Sequence, residues 1–569
     1  MAEAQSGSVG RERKEFLMKA SWGACYPGAL AVLTLLNCDV CRASATDFWI
    51  TQNGAGIANG SSLANAASCG GSGQTTCAAF NNASNWGSAV TQIGPGTTIH
   101  VSGTFTAAAN AANYFTFQGS GSSANPVILL MDSSTNITAP SYASGAFAIY
   151  SNGHSYITIN GGANGSATAG TLAGGGIVQA TANGTGLIYH TQGNGIGMYN
   201  GSNFLVENLT IANIYVHTCT LPVSNCTDEN GDPTGAVYFS NASNVTVNNI
   251  VAHDMKWCLQ LAYSNGNNNI TLSNNMLYNV DHGVALGAGA AGAVISGVYI
   301  FGNYYHDPQN WDDNGNLNHH DGVHEWAPGT GTCINNTYIY NNYFYGDFGL
   351  HMNDAIYQEN FTGCTGNYIF NNVAAPSAGV TGNAMIGVGA NSSGGGGGWL
   401  IANNTIIGYS TANQTGPNAN STTGATYNNI ISTINGAIGG YTGSGPAAID
   451  YNDYYNIGGG GWNGGGSLSA WSSYCITNYS AYTACDQHSI TGNPNLISFV
   501  PSAGSPVIGA GRNLYSVCSG QANPGLGALC YDAAGVPRPS GASWDIGAYQ
   551  HASVGAPVAP PTLLSVTIQ

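Results

Sequence analysis

Between His253 and Asp354 the chain gathers 7 of its 13 histidines, eight aspartates, Glu325 and Lys256, the only lysine beyond residue 45, in a sequence only 6% charged. The densest part is NHHDGVHEW, Asn318 to Trp326, with three histidines, an aspartate and a glutamate in nine residues. Residues of these types do chemistry in a few ways. Two carboxylates cleave a glycosidic bond as acid and base or nucleophile. An imidazole moves protons near neutral pH. Carboxylates stacked close together repel and must share a proton or hold a cation.

Which residues meet depends on register. Four segments align on the hydrophobic pair that follows an asparagine: KWCLQL (Lys256 to Leu261), DHGVAL (Asp281 to Leu286), HDGVHE (His320 to Glu325) and DFGLHM (Asp347 to Met352). The alignment predicts columns of Lys256, Asp281, His320 and Asp347, of Trp257, His282, Asp321 and Phe348, and of Gln260, Ala285, His324 and His351. With Leu259, Val284, Val323 and Leu350 pointing inward, alternation turns the last column outward. The candidate catalytic residues are therefore Asp281, His320, Asp321, His324, Asp347, His351 and Lys256. The loop DPQNWDDNGNLNHH, Asp307 to His320, leaves just before this stretch and is expected to roof it. Cys258 stands where the aligned turns carry glycine, which suits a packed small thiol better than a nucleophile. Taken singly, His253, His282 and His306 read as turn residues.

The elements that position these groups are short period-2 bursts, each running into an asparagine: NVTVNNIVAHD, NITLSNNMLYNVD, GVYIFGNYYHD, NTYIYNNYFYGD, GNYIFNNVAA, WLIANNTIIGY and TYNNIIST. Marker asparagines Asn249, Asn275, Asn303, Asn342, Asn372, Asn404 and Asn429 recur at intervals of 26, 28, 39, 30, 32 and 25, with no amphipathic helix between them. One such turn cannot bury its own inward face, whereas stacked turns share a core, so a strand solenoid with an asparagine ladder at one bend is expected. A β-propeller is the competing repeat fold, but its regular blades and signature dipeptides are missing.

Residues 114 to 455 resemble the right-handed parallel β-helix proteins of the pectate-lyase-like group. SPVIGAG (Ser505 to Gly511) and DIGAYQ (Asp545 to Gln550) are similar to the closing segment of bacterial secreted members. The resemblance implies an all-β right-handed parallel β-helix, a single-chain solenoid with N- and C-terminal caps: a cap over 46–113, the helix over 114–455, a closing segment over 456–553 and a Pro-rich tail over 554–569. It also implies a polysaccharide partner and lyase chemistry, in which Ca²⁺ neutralises a uronate and a Lys or Arg takes the C5 proton. Lys256 is the candidate base. Asp312, Asp313, Glu325 and Asp354 are the candidate calcium ligands, although WDDNGN lacks the EF-hand spacing.

Tyr305, Trp311, Trp326 and Tyr345 are candidates for stacking on sugar rings, and Tyr304, Tyr338, Tyr340 and Tyr343 serve equally to pack a solenoid face. Glycoside hydrolysis by Asp281, Asp321 and Asp347 competes with the lyase reading, as does a non-catalytic glycan-binding or adhesin-like surface protein. A transition-metal site of His319, His320, His324 and His351 is a further alternative.

The N-terminal 45 residues read as a signal peptide: five of the 8 basic residues, an apolar run from Ala29 to Leu36 and the Ala43-Ser44-Ala45 cleavage signal. Met18 is an alternative start. Beyond them, Lys256, Arg512 and Arg538 face 21 acidic residues, a net charge of −18 that repels nucleic acid. Secretion predicts local disulfides Cys69–Cys77, Cys219–Cys226, Cys333–Cys364, Cys475–Cys485 and Cys518–Cys530, leaving Cys258 free.

Overall fold

A computed structural model of the protein describes residues 44–162, 176–182, 191–214, 235–261, 268–289, 291–311, 319–329, 331–359, 363–379, 384–390, 397–412, 414–419, 423–438, 447–462 and 466–551. Its strands stack in parallel ladders around a common core to make a right-handed parallel β-helix. A first face holds the strands Asn268–Ser273, Val294–Phe301, Cys333–Tyr340 and Asn367–Phe370. After a corner, a second face holds Tyr304–His306, Tyr343–Asp347 and Val373–Ala378. The third holds His320–Trp326, Met352–Glu359 and Ile386–Ala390. Two long strands, Val251–Leu261 and Met276–Gly287, bend to serve both the second and third faces.

Alternation explains the core. Leu272, Ile300, Ile339, Ile369 and Ile401 pair turn upon turn and are fully buried. The corner between the first two faces is built from the paired asparagines. The first of each pair, Asn274, Asn341, Asn371, Asn403 or Asn428, takes a left-handed backbone with φ near +55°, and Gly302 fills that position in its own turn. The second turns inward and bonds its counterpart one turn on: the side-chain amide of Asn275 donates to Asn303, Asn303 to Asn342, Asn342 to Asn372, Asn372 to Asn404, Asn404 to Asn429 and Asn429 to Asn452, each at 2.9–3.0 Å. The last amide, on Asn452, donates to the Asp486 carboxylate at 3.4 Å. Asn249 is not a member. Val251 pairs with Met276, which sets Ile250 opposite Asn275 and puts Asn249 in the neighbouring, left-handed column.

The first ladder includes the strands Asp47–Thr51 and Thr98–Val101 from the N-terminal region. At the other end the helix Leu468–Asn478 buries Trp471 against the core. The remaining C-terminal segment does not simply close the solenoid. It runs back along the asparagine corner, where the Arg512 amide donates to Asn428 (2.7 Å), Asn403 donates to the Asp545 carbonyl (3.1 Å) and Arg538 donates to Asn371 (3.0 Å). Tyr340 packs under this segment, and Val507 of SPVIGAG and Ile546 of DIGAYQ pack on Ile430.

Four of the expected disulfides are present, Cys69–Cys77, Cys333–Cys364, Cys475–Cys485 and Cys518–Cys530, and Cys258 is free and buried. Cys219, Cys226, the N-terminal leader up to Ala43 and the Pro-rich tail lie outside the described residues. Among the described residues no helix is long and apolar enough to cross a membrane.

Candidate functional site

The third-face register agrees with the sequence alignment over three turns. Trp257 pairs with His282 and His282 with Asp321, while Gln260, Ala285 and His324 follow one another three positions later. Leu259, Val284 and Val323 are the inward residues between them. The small-residue column holds Cys258, Gly283 and Gly322, where a Cβ on Gly322 would lie 2.5 Å from the Ala355 carbonyl and 2.4 Å from the Phe344 ring.

The fourth turn differs. Asp354 pairs with Asp321, Ile356 with Val323, Tyr357 with His324 and Gln358 with Glu325, so DAIYQ stands where FGLHM was expected. The chain inserts an extra corner at Phe348–His351, helped by left-handed glycines 346 and 349, and Leu350 is 65% exposed instead of inward. Asp347 and His351 therefore leave the columns. The Asp347 carboxylate accepts the Gly349 amide in that corner, and the His351 carbonyl accepts the His320 amide.

Register brings four donors together from two chain segments, the strand Met276–Gly287 and the stretch 319–324. One ligand atom each from His282, His319, Asp321 and His324 lies within 4.8 Å of the others. His282 Nε2 is 3.2 Å from His324 Nδ1 and 3.4 Å from Asp321 Oδ2, and His324 Nδ1 is 3.7 Å from the same oxygen. His319 Nδ1 lies 2.6 Å from it. Three of the four groups are held from behind. His282 Nδ1 meets Asp281 Oδ2 at 2.9 Å, His324 Nε2 meets Glu359 Oε2 at 3.3 Å, and Asp321 Oδ1 accepts the Asp354 amide at 3.0 Å. His282, Asp321 and His324 are buried, while the side chains of His319 (34%) and Glu359 (23%) remain partly exposed.

The charges follow from this arrangement. Burial alone raises the Asp281 carboxyl, but the His282 charge and hydrogen bonds with His282 and His320 outweigh it and hold Asp281 well below the carboxylate range. Burial disfavours the His282 imidazolium, yet the Asp281 and Asp321 carboxylates push it up to about 9. Against burial, His319 and His282 draw Asp321 down to about 2. His319 is raised, its burial outweighed by Asp321. His324 is lowered, chiefly by burial. Asp354, buried and one rung from Asp321, is raised well above the usual carboxylate range by burial and by that neighbour's charge.

Several expected site residues serve other ends. Asp281 is buried and takes donors from His282, His320 (2.7 Å) and the Trp257 indole (3.2 Å), which makes it and His320 supports for His282. Lys256 is buried in the strand below Asp281. Glu325 points inward: Gln358 donates to it at 2.7 Å, and burial pushes it up to about 7, so it is no ligand of an outward site. Tyr305 is buried with its hydroxyl on the Asp281 carbonyl (3.0 Å), and Trp311 is buried with its indole on the Asn279 carbonyl (3.1 Å), so neither can stack on a sugar. Trp326 is buried with its ring 4.8 Å from His324 and 5.5 Å from Trp257. Tyr345 belongs to a second-face stack of His253, Tyr278, His306 and Tyr345 rings. His253 and His306 lie in strands rather than in turns, and each bonds the carboxylate of the aspartate that follows it. Asp312, Asp313 and most of the expected roofing loop lie outside the described residues.

Sequence reasoning missed three contributors. His282 was legible as a column partner of Asp321 but read singly as a turn residue. His319, one residue before its strand, entered only as a metal alternative. Glu359 was lost with the fourth-turn register.

No family model matches the chain, and no curated protein does. Solved structures similar to it include the pectate lyase Pel9A (14% identity, covering 90% of this chain and 100% of that one, TM-score 0.39). Others are a GH136 lacto-N-biosidase from Eubacterium ramulus (9%, 72% and 67%, TM-score 0.44) and PfbA, a surface adhesin of Streptococcus pneumoniae (12%, 64% and 85%, TM-score 0.26).

Proposed function

We propose that this is a secreted β-helix protein that acts on an extracellular polysaccharide at its third face, by β-elimination or glycoside hydrolysis. The observation that carries the reading is the convergence of His282, His319, Asp321 and His324 on one face, with Trp257, His319 and Glu359 at its partly exposed edge. An aromatic ring beside carboxylate and imidazole groups suits a sugar, whose ring faces stack and whose hydroxyls hydrogen-bond. The strong negative charge of the chain favours a neutral glycan, or a uronide whose carboxylate is neutralised by a cation, calcium included. Glu359 is the carboxylate at the accessible edge that can exchange a proton with such a ligand.

The second reading, glycan binding without turnover, is favoured by the burial of His282, Asp321 and His324. A panel of neutral and uronic polysaccharides, with and without Ca²⁺, separates the two. Elimination gives an ultraviolet-absorbing unsaturated end, hydrolysis gives new reducing ends alone, and a pure binder gives retention without either. Glu359→Gln should abolish turnover while leaving the melting temperature unchanged. No retention and no product across the panel would remove both readings.

A further inference from the structure

We propose that His282, His319, Asp321 and His324 bind one first-row divalent transition ion of the zinc type. The inference goes beyond the glycan reading and does not depend on it.

Two features besides the clustering point to a cation. The first is the direction of the ring nitrogens. With His282 Nδ1 donating to Asp281 and His324 Nε2 donating to Glu359, the inner nitrogens present lone pairs to each other at 3.2 Å and to the Asp321 oxygen at 3.4 and 3.7 Å. Lone pairs so placed repel unless a proton, as on His282 in the ion-free chain, or a metal cation in its place sits among them. The second is the outer set of partners: Asp281 behind His282, Glu359 behind His324 and the Asp354 amide behind Asp321 fix tautomer and orientation, as the outer carboxylates of bound metals do.

Size and donor type choose among ions. Bonds of about 2.0–2.1 Å in a tetrahedron separate neighbouring ligand atoms by roughly 3.3–3.4 Å. Three of the separations, 3.2, 3.4 and 3.7 Å, lie near that edge. The fourth donor, His319 Nδ1, sits 2.6 Å from Asp321 and would turn from this hydrogen bond to the ion. Three imidazoles and one carboxylate suit zinc and its neighbours, whereas calcium and magnesium prefer all-oxygen shells. The set differs from the sequence expectation: His282 and Asp321 take the places of His320 and His351.

The test uses the full chain, stripped with chelator and titrated with Co²⁺, followed by visible absorption. The expected result is one Co²⁺ per chain with the intense d–d bands of a four- or five-coordinate site, displaced by one equivalent of Zn²⁺ and not by Ca²⁺. Asp321→Asn and His324→Ala should abolish the bands. Glu359→Gln keeps all four donors and lies at the partly exposed edge, so it should fold normally and weaken Co²⁺ by about 10–100-fold. A natively folded chain without saturable Co²⁺ binding overturns the proposal. So does binding unchanged in Glu359→Gln together with bands that survive in a folded Asp321→Asn or His324→Ala chain. If neither ligand variant folds, unchanged Glu359→Gln affinity alone overturns it. Because the readout is metal uptake, inactivity toward glycans leaves it untouched.

Discussion

His282 Nε2 stands 3.2 Å from His324 Nδ1, although 42 residues separate the two in sequence. They meet because the strand His320–Trp326 pairs in register with the turn beneath it, with Val323 over Val284 and His324 over Ala285. Loop length is thus uncoupled from site geometry, and what fixes the pair is the backbone ladder beneath it.

The asparagine corner should therefore be a large source of stability. The Asn342 amide group donates to the Ile300 carbonyl and to Asn372 and accepts from the Asn303 amide and side chain, all buried. Asn342→Ala leaves several of those partners unsatisfied and is expected to cost about 2–4 kcal/mol. A melting temperature within a degree or so of wild type would contradict this.

Gly322→Ala should damage the third face from inside. Its Cβ would meet the Ala355 carbonyl, which belongs to the ladder and cannot move alone. A loss of about 1–3 kcal/mol is expected, with weaker Co²⁺ binding, since Asp321 and His324 flank it. Cys258, in the same column, has a buried thiol raised by burial, and should resist alkylation until the chain unfolds. Mass spectrometry after native and denatured labelling checks it.

The end of the solenoid should lose stability as pH rises. Burial pushes the Asp453 carboxyl up to about 8, from near 4 in an unfolded chain. Between those values the folded state keeps a proton that the unfolded chain has released, so this contribution is full below about pH 4 and is lost as pH climbs through about 8. Asp486, also raised by burial, reaches only about 6, which leaves the upper part of the window to Asp453. Asp453→Asn is expected to flatten the melting temperature between about pH 6.5 and 8.5 relative to wild type. Parallel profiles would refute the assignment.

At the exposed edge, Trp257→Ala should weaken retention on the responsive polysaccharide by about 10-fold or more, the size of a lost ring contact of roughly 1.5 kcal/mol. Equal retention by both proteins, measured by affinity electrophoresis, would move the glycan away from this face.

Much of this was legible in the sequence because period-2 alternation and a repeated amide are strong local signals. They gave the parallel solenoid, the bend shared by Asn275, Asn303 and Asn342, and the columns through Trp257, His282 and Asp321. The errors have local causes. In VNNI and SNNM the doubled asparagine sits one residue apart relative to the strand, which misplaced Asn249. In the fourth turn FGL and DAI both offer a small residue before an aliphatic one, and only the extra corner at Phe348–His351 decides between them. Tyr305 and Trp311 have the composition of a sugar platform, but whether a ring faces core or solvent depends on neighbouring turns that no single segment encodes.

From side chain to side chain the amides from Asn275 to Asn452 all donate in one sense, toward the C-terminal end, where the last of them meets Asp486, while each also donates back to a backbone carbonyl of the preceding turn. The column is thus a polar wire with a terminator: each N–H leans on the next carbonyl, and the positive ends accumulate at a buried carboxylate that also takes the Trp471 indole and Ser489 hydroxyl. Asp486 stands to this column as a capping residue stands to a helix, and a further turn could join the stack only by displacing it.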